Sequence, residues 1–297
     1  MKRLVLTAAL LVAAAPAHAE DAALVAAVLV PSGPVASVGD KARVVAEVGA
    51  ALERALGVRV TARAYANAED LERDGAEVAF AITDASFAAS RGWVRPFASA
   101  VVGGRDRGRL ALFVGPAIPG AWALEGKRVA LPRLGRATAG VLDGLLLEGE
   151  LPPGRVTRVV VPDAASALQS VRLGKADALV LSEATAARLG VPSLRPILTS
   201  RELPLYALCT AGQPLPAEVL TRLRERLDRI IVPTLGIDGF RAAPQDVWDG
   251  LRRDLAGGPR RLPPPHVPAP TFRGPALLAP PVAVPVPNLR EYLTPLR

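Results

Sequence analysis

The chain is 297 residues long, half of them hydrophobic, with a formal net charge of +8. That length holds two lobes with cores of their own, and that composition excludes a disordered chain. The positive excess sits at the ends, in Lys2 and Arg3 and in Arg260, Arg261, Arg273, Arg290 and Arg297, so the body carries no basic signature for nucleic acid.

Residues 1–19 read as a removable secretory signal. Lys2 and Arg3 precede an apolar run too short to span a membrane, and Ala17-His18-Ala19 supplies an A-x-A cleavage site. This places the mature protein in the periplasm. Cys209 is the only cysteine, which excludes an internal disulfide and reads as a small buried residue. Histidine occurs only at His18 and His266, so a Ser-His-Asp triad, a Cys-His pair and an HExxH zinc site are unavailable in the body. Neither GxGxxG nor GxxxxGK[ST] occurs. Carboxylate-only or lysine-based chemistry stays open, and no metal or cofactor is indicated.

The apolar run 21–30 predicts a buried strand that enters a loop at Pro31-Ser32-Gly33-Pro34. Apolar residues at helical spacing over 40–56 predict a helix stopped by Gly57, and 58–65 predicts a second strand. Asn67 caps a short helix over 68–74. A third strand over 77–82 leads into Thr83-Asp84-Ala85-Ser86, a helix cap. Two apolar segments follow, 93–104 and 109–114.

The same order then returns. It runs through a strand over 128–131, a helix over 137–148, a strand over 156–161, a helix over 164–173 capped by Asp163, and a strand over 177–181 before Ser182 and Glu183. Alternating strands and helices imply parallel sheets, and two copies imply two α/β lobes with ligand outside the carboxyl ends of the strands. The loop Pro132–Gly135 delivers the chain to a helix start at 137, where unpaired N–H groups and partial positive charge suit an anion. Leu110–Val114 and 205–209 are the expected strands joining the lobes. Two basic amphipathic helices, 216–231 and 245–255, close the body. The residues from 259 onward are too rich in proline for helix or sheet interior and form a tail.

Several segments resemble the phosphate/phosphite/phosphonate-type substrate-binding proteins of ABC transporters, a branch of the type II periplasmic binding proteins. They are Leu124-Glu-Gly-Lys-Arg-Val-Ala130, Gly135-Arg-Ala-Thr-Ala-Gly140, the run from Ala165 to Val180 (Ala-Ser-Ala-Leu-Gln-Ser-Val-Arg-Leu-Gly-Lys-Ala-Asp-Ala-Leu-Val) and Leu235-Gly-Ile-Asp-Gly-Phe240. The resemblance covers about 22–255. It implies a two-lobed type II fold, each lobe a mainly parallel sheet flanked by helices, joined by two crossing strands. The expected organisation is a signal peptide 1–19, lobe I over 20–114, lobe II over 115–202, the return of lobe I over 203–258, and the tail 259–297. It also implies binding of a small anionic, phosphate- or phosphonate-like solute in the inter-lobe cleft and delivery to an inner-membrane permease. The chain is expected to be a monomer and not an enzyme, an enzyme on the same fold being the remaining alternative.

The expected ligand contacts are Ser32, Tyr65, Thr83, Asp84, Ser86, Arg136, Thr138, Ala139, Gly140, Ser182 and Glu183, with Arg133 as a second clamp. Each has a bland role open to it: a turn for Ser32, the core for Tyr65, an N-cap for Thr138, a helix-start charge for Glu183, solvent for the arginines. The family's loop is rich in Ser and Thr, whereas only Thr138 keeps a hydroxyl between Ala137 and Ala139. An unpaired Asp84 would repel a dianion. The ligand is then another oxyanion, a zwitterion whose amine meets Asp84, or nothing, in which case the proline tail serves a partner.

Overall fold

A computed structural model describes residues 23–191 and 193–257. The expected signal 1–19 and the tail 259–297 lie outside the described residues.

The first lobe begins with β1 (Leu24–Leu29), α1 (Val38–Leu56), β2 (Val60–Ala64), α2 (Ala68–Asp74), β3 (Phe80–Asp84), α3 (Ala85–Ala89) and β4 (Arg95–Val102). The second holds β5 (Leu110–Val114), β6 (Arg128–Pro132), α4 (Ala137–Gly140) with a π-helical turn over Val141–Leu146, β7 (Thr157–Val161), α5 (Ala164–Arg172), β8 (Ala178–Ser182), α6 (Glu183–Leu189) and β9 (Arg195–Thr199). The chain then returns to the first lobe as β10 (Tyr206–Thr210), α7 (Ala217–Glu225), β11 (Ile237–Ala242) and α8 (Gln245–Leu255).

Two sheets result. In the first, ordered β11-β4-β10-β3-β1-β2, β1 pairs in parallel with β2 and β3, while β10 runs antiparallel between β3 and β4. In the second, ordered β7-β6-β8-β5-β9, β6 pairs in parallel with β7 and β8, and β5 is the single reversed strand. β9 and β11 were not expected as strands. Both are edge strands; β9 carries Pro196 and β11 carries Gly239, residues that interrupt the strand pattern.

Leu110–Val114 belongs wholly to the second sheet, so it does not join the lobes. The crossing lies just before it, where Gly108 and Leu203 exchange two backbone hydrogen bonds of 2.9 Å. The second expected crossing strand, in turn, lies within the first sheet as β10.

α1 shows why the helices form where they do. Ser37 and Asp40 make a reciprocal capping box, the buried face repeats as Val44, Val48, Leu52 and Leu56, and Gly57 ends the helix at φ 71°. The basic helix over 216–231 is shorter than its pattern promised, since α7 stops at Glu225. Its arginines are not all solvated: Arg222 and Arg226 donate to the carbonyls of Leu56 and Ala55, closing the C-terminus of α1.

α8 ties the two lobes together. Trp248 and Leu251 are buried, Arg252 donates to the Ala89 carbonyl of α3, and Arg201 pairs with Asp254. The carbonyls of Asp254 and Leu255 press against Gly144 and Gly140 of the second lobe, so closely that a Cβ at either glycine would overlap them.

Candidate functional site

The carboxyl ends of β1, β3, β6 and β8 face one another across the seam between the lobes. Ser32 follows β1, Asp84 ends β3, and Ser182 ends β8 as the N-cap of α6. Asp84 is 3% exposed and takes its hydrogen bonds from one residue: the Ser32 N–H donates to Oδ2 at 3.2 Å and the Ser32 hydroxyl to Oδ1. From Ser32 the network crosses the seam. The Thr185 hydroxyl donates to the Ser32 carbonyl at 3.0 Å, and the Ser182 hydroxyl donates to Thr185 Oγ1 at 2.9 Å. Two further bonds cross nearby, Ala164 N–H to the Pro31 carbonyl at 2.8 Å and Lys41 to Asp163 at 3.2 Å. The lobes therefore touch directly.

One of the spaces left between them is small. Ser32, Asp84 and Ser86 line a cavity of about 20 Å³ whose remaining walls are aliphatic, among them Leu110, Leu131, Leu134, Val180 and Leu203. That is room for one water-sized group. No Lys or Arg lines it. Burial pushes the Asp84 carboxyl from its ordinary 3.8 up to about 8, against a smaller lowering by the Ser32 N–H. Tyr206 lies opposite Asp84 in the β3–β10 register, and burial, reinforced by Asp84, drives its hydroxyl far above the usual range.

The remaining expected contacts lie elsewhere. Thr83 is buried behind Asp84 and donates to the Asp84 carbonyl. Tyr65 lines a second, larger cavity of about 100 Å³ at the seam, whose walls are Val28, Val30 and Val44 of the first lobe, Pro162 of the second, and the Lys41–Asp163 pair that crosses between them. Thr138 is buried, and its hydroxyl is spent locally: it accepts from Leu134 N–H and donates to the Gly135 carbonyl, both at 2.9 Å. Its own N–H bonds the same carbonyl, at 3.2 Å. Ala139 is exposed and Gly140 faces α8. Arg133, Arg136 and Glu183 are exposed. Asp177 shapes a strand entry, accepting from Arg128 N–H at 2.9 Å. Thr185 and Tyr206 escaped the sequence reading. Thr185 sits three residues inside a helix, and Tyr206 sits in an apolar strand run, so neither carried a site signal.

The family model for the periplasmic substrate-binding proteins of phosphonate ABC transporters matches residues 34–247. The chain belongs to that family. No curated protein sequence matches it. Among solved structures, a binding-protein component of a phosphonate ABC transporter from Pseudomonas aeruginosa superposes with a TM-score of 0.63 at 14% identity, over 78% of this chain and 85% of that one. A Xanthomonas citri protein bound to chloride gives 0.59 at 16%, over 79% and 97%. A Prochlorococcus marinus PhnD1 in complex with methylphosphonate gives 0.56 at 12%, over 79% and 98%. At these identities the likeness is one of fold: two facing lobes of the periplasmic binding-protein type. Proteins of this family are periplasmic substrate-binding components of ABC transporters. Among the described residues no group of three or more His, Cys, Asp and Glu is placed to hold a metal.

Proposed function

We propose that the mature protein is a periplasmic, monomeric solute-binding protein that takes a small solute into the cleft between its lobes and presents the closed body to an inner-membrane ABC permease. The observation that carries this is the convergence of four strand ends, two from each lobe, on the Ser32–Asp84–Thr185–Ser182 seam. Strand carboxyl ends at such a junction are where α/β sheets bind ligands. In this reading 1–19 is removed on export and 259–297 is an appendage outside the binding body. A phosphonate-like anion is the first class to test, because the family is named for it.

A second reading has its own support. The lobes bond to one another directly, and Thr138, the expected anion contact, has its hydroxyl already paired. A cleft filled by its own walls fits an interaction protein that no longer carries solute.

A thermal-unfolding panel of phosphate, phosphite, methylphosphonate, sulfate and small amino compounds separates the two. A true ligand at a hundred times its Kd raises stability by about 2.7 kcal/mol, readily seen as a higher midpoint. One class of solute shifting the midpoint is the result expected of a binding protein. An unmoved midpoint across the panel overturns that reading in favour of the interaction protein.

A further inference from the structure

We propose that the central cavity of the cleft seats a primary ammonium group, with Asp84 as its counter-ion and the Ser32 and Ser86 hydroxyl oxygens as its other acceptors, so that the solute is a small amine rather than a bare oxyanion. This rests on the solute-binding reading above and assigns the chemistry of that site.

The sign of the charge comes first. Asp84 is 3% exposed on the wall of the cavity, and the charged side chains that would ordinarily accompany a buried carboxylate are missing from that wall. The groups facing it are Ser32 from the loop after β1, Ser86 from α3, Tyr206 from β10, with Thr185 and Arg188 of α6 beyond that tyrosine, and aliphatic side chains from β6, β8 and the crossing segments. A buried carboxylate in such surroundings either keeps its proton or acquires a cation. An oxyanion brought to the same wall would meet a carboxyl and apolar carbon, with no guanidinium or ammonium to receive it.

Size points the same way. The cavity of about 20 Å³ accepts one group the size of water. An ammonium group is that size, whereas a phosphoryl group with its three oxygens is several times larger. Ammonium also offers three donors, matching one carboxylate and two hydroxyl oxygens. The seat expected for an anion, the loop before α4, is occupied by its own bonds: Thr138 Oγ1 is held by Leu134 and Gly135, and Arg133 and Arg136 face solvent. With aliphatic walls excluding water, one ion pair here counts for more than it would at the surface.

Binding is a proton exchange as well as an association. A carboxyl that holds its proton when the cavity is unfilled must give it up to pair with an ammonium group, so one proton leaves to solvent as the complex forms near neutral pH.

The test uses the full-length mature protein with methylamine and ethylamine hydrochlorides against methylphosphonate, read by thermal midpoint and by calorimetric titration in two buffers of different protonation enthalpy. The expected result is stabilisation by the amines, net proton release near pH 7, and affinity at least about tenfold weaker in Asp84→Asn, as befits loss of a charge-assisted hydrogen bond. Ser86→Val, which fills the cavity and leaves Asp84 in place, gives the same loss and covers the case in which Asp84→Asn fails to fold. Stabilisation by methylphosphonate alone, amine binding that survives both variants, or amine binding without proton release overturns the assignment and leaves the solute-binding reading standing. Silence from every amine and every anion overturns both.

Discussion

Asp84 is a buried carboxyl at the seam between the lobes, and its setting has a consequence for stability. The carboxyl is held at about 8 in the folded protein against an ordinary 3.8, with burial as the first cause. Between those values the unfolded chain has lost the proton and the folded one keeps it, so stability falls as pH rises. The contribution is complete below about pH 4 and gone above about pH 8. The loss runs at no more than about 1.4 kcal/mol per pH unit. Melting curves from pH 5 to 8 should therefore show a declining midpoint, and Asp84→Asn should remove most of that slope. An equal slope in the variant would place its origin elsewhere. Asp84, Ser32 and Ser86 were legible in the sequence because each follows or ends an apolar strand, where a polar residue stands out. Thr138 was legible as a polar residue but not as a spent one. Its hydroxyl is paired through the fold of the 134–138 loop, which spacing alone does not specify.

At the scale of elements, the strand–helix alternation read correctly in both lobes, and the caps at Asn67 and Asp163 hold as expected, each accepting from a backbone N–H three residues on. The misplacements share a cause. Leu110–Val114 is fully buried and uniformly apolar, so nothing in it distinguishes a strand inside a lobe from one running between lobes. Only its pairing with β8 and β9 decides the matter. The helix over 137–148 was expected to be regular. Instead α4 passes into a π-helical turn at the point where α8 docks, and Leu147 N–H reaches back to the Leu142 carbonyl. Gly140 and Gly144, one helical turn apart, let the end of α8 approach to backbone contact. Gly144→Val should lower the melting midpoint by several degrees, in line with an overpacking cost of about 1–3 kcal/mol. Ala139→Leu, on the exposed face of the same helix, should leave it nearly unchanged. If both variants melt together, α8 does not rest on the glycines as described.

For the whole molecule, the two lobes are joined at the Gly108–Leu203 bridge and again through α8, and the seam between them is closed by direct bonds. The two-lobe plan was legible because the pattern of strands and helices repeats. The closure was not, since Thr185, Pro31 and Ala164 meet only after the lobes have folded. A solute-binding protein must open this seam and close it on its ligand. Spin labels on cysteines replacing Glu69 of α2 and Arg172 of α5, both exposed, report the separation of the lobes. Cys209, fully buried with its thiol pushed up to about 12, stays unlabelled. The measurement is the label-to-label distance distribution by pulsed electron paramagnetic resonance, with and without each solute that raises the melting midpoint. A shift from a broad, longer distribution to a single short one is the result expected of a cleft that closes on solute. The same short distribution in every condition would contradict that account and describe a body whose lobes do not part for solute.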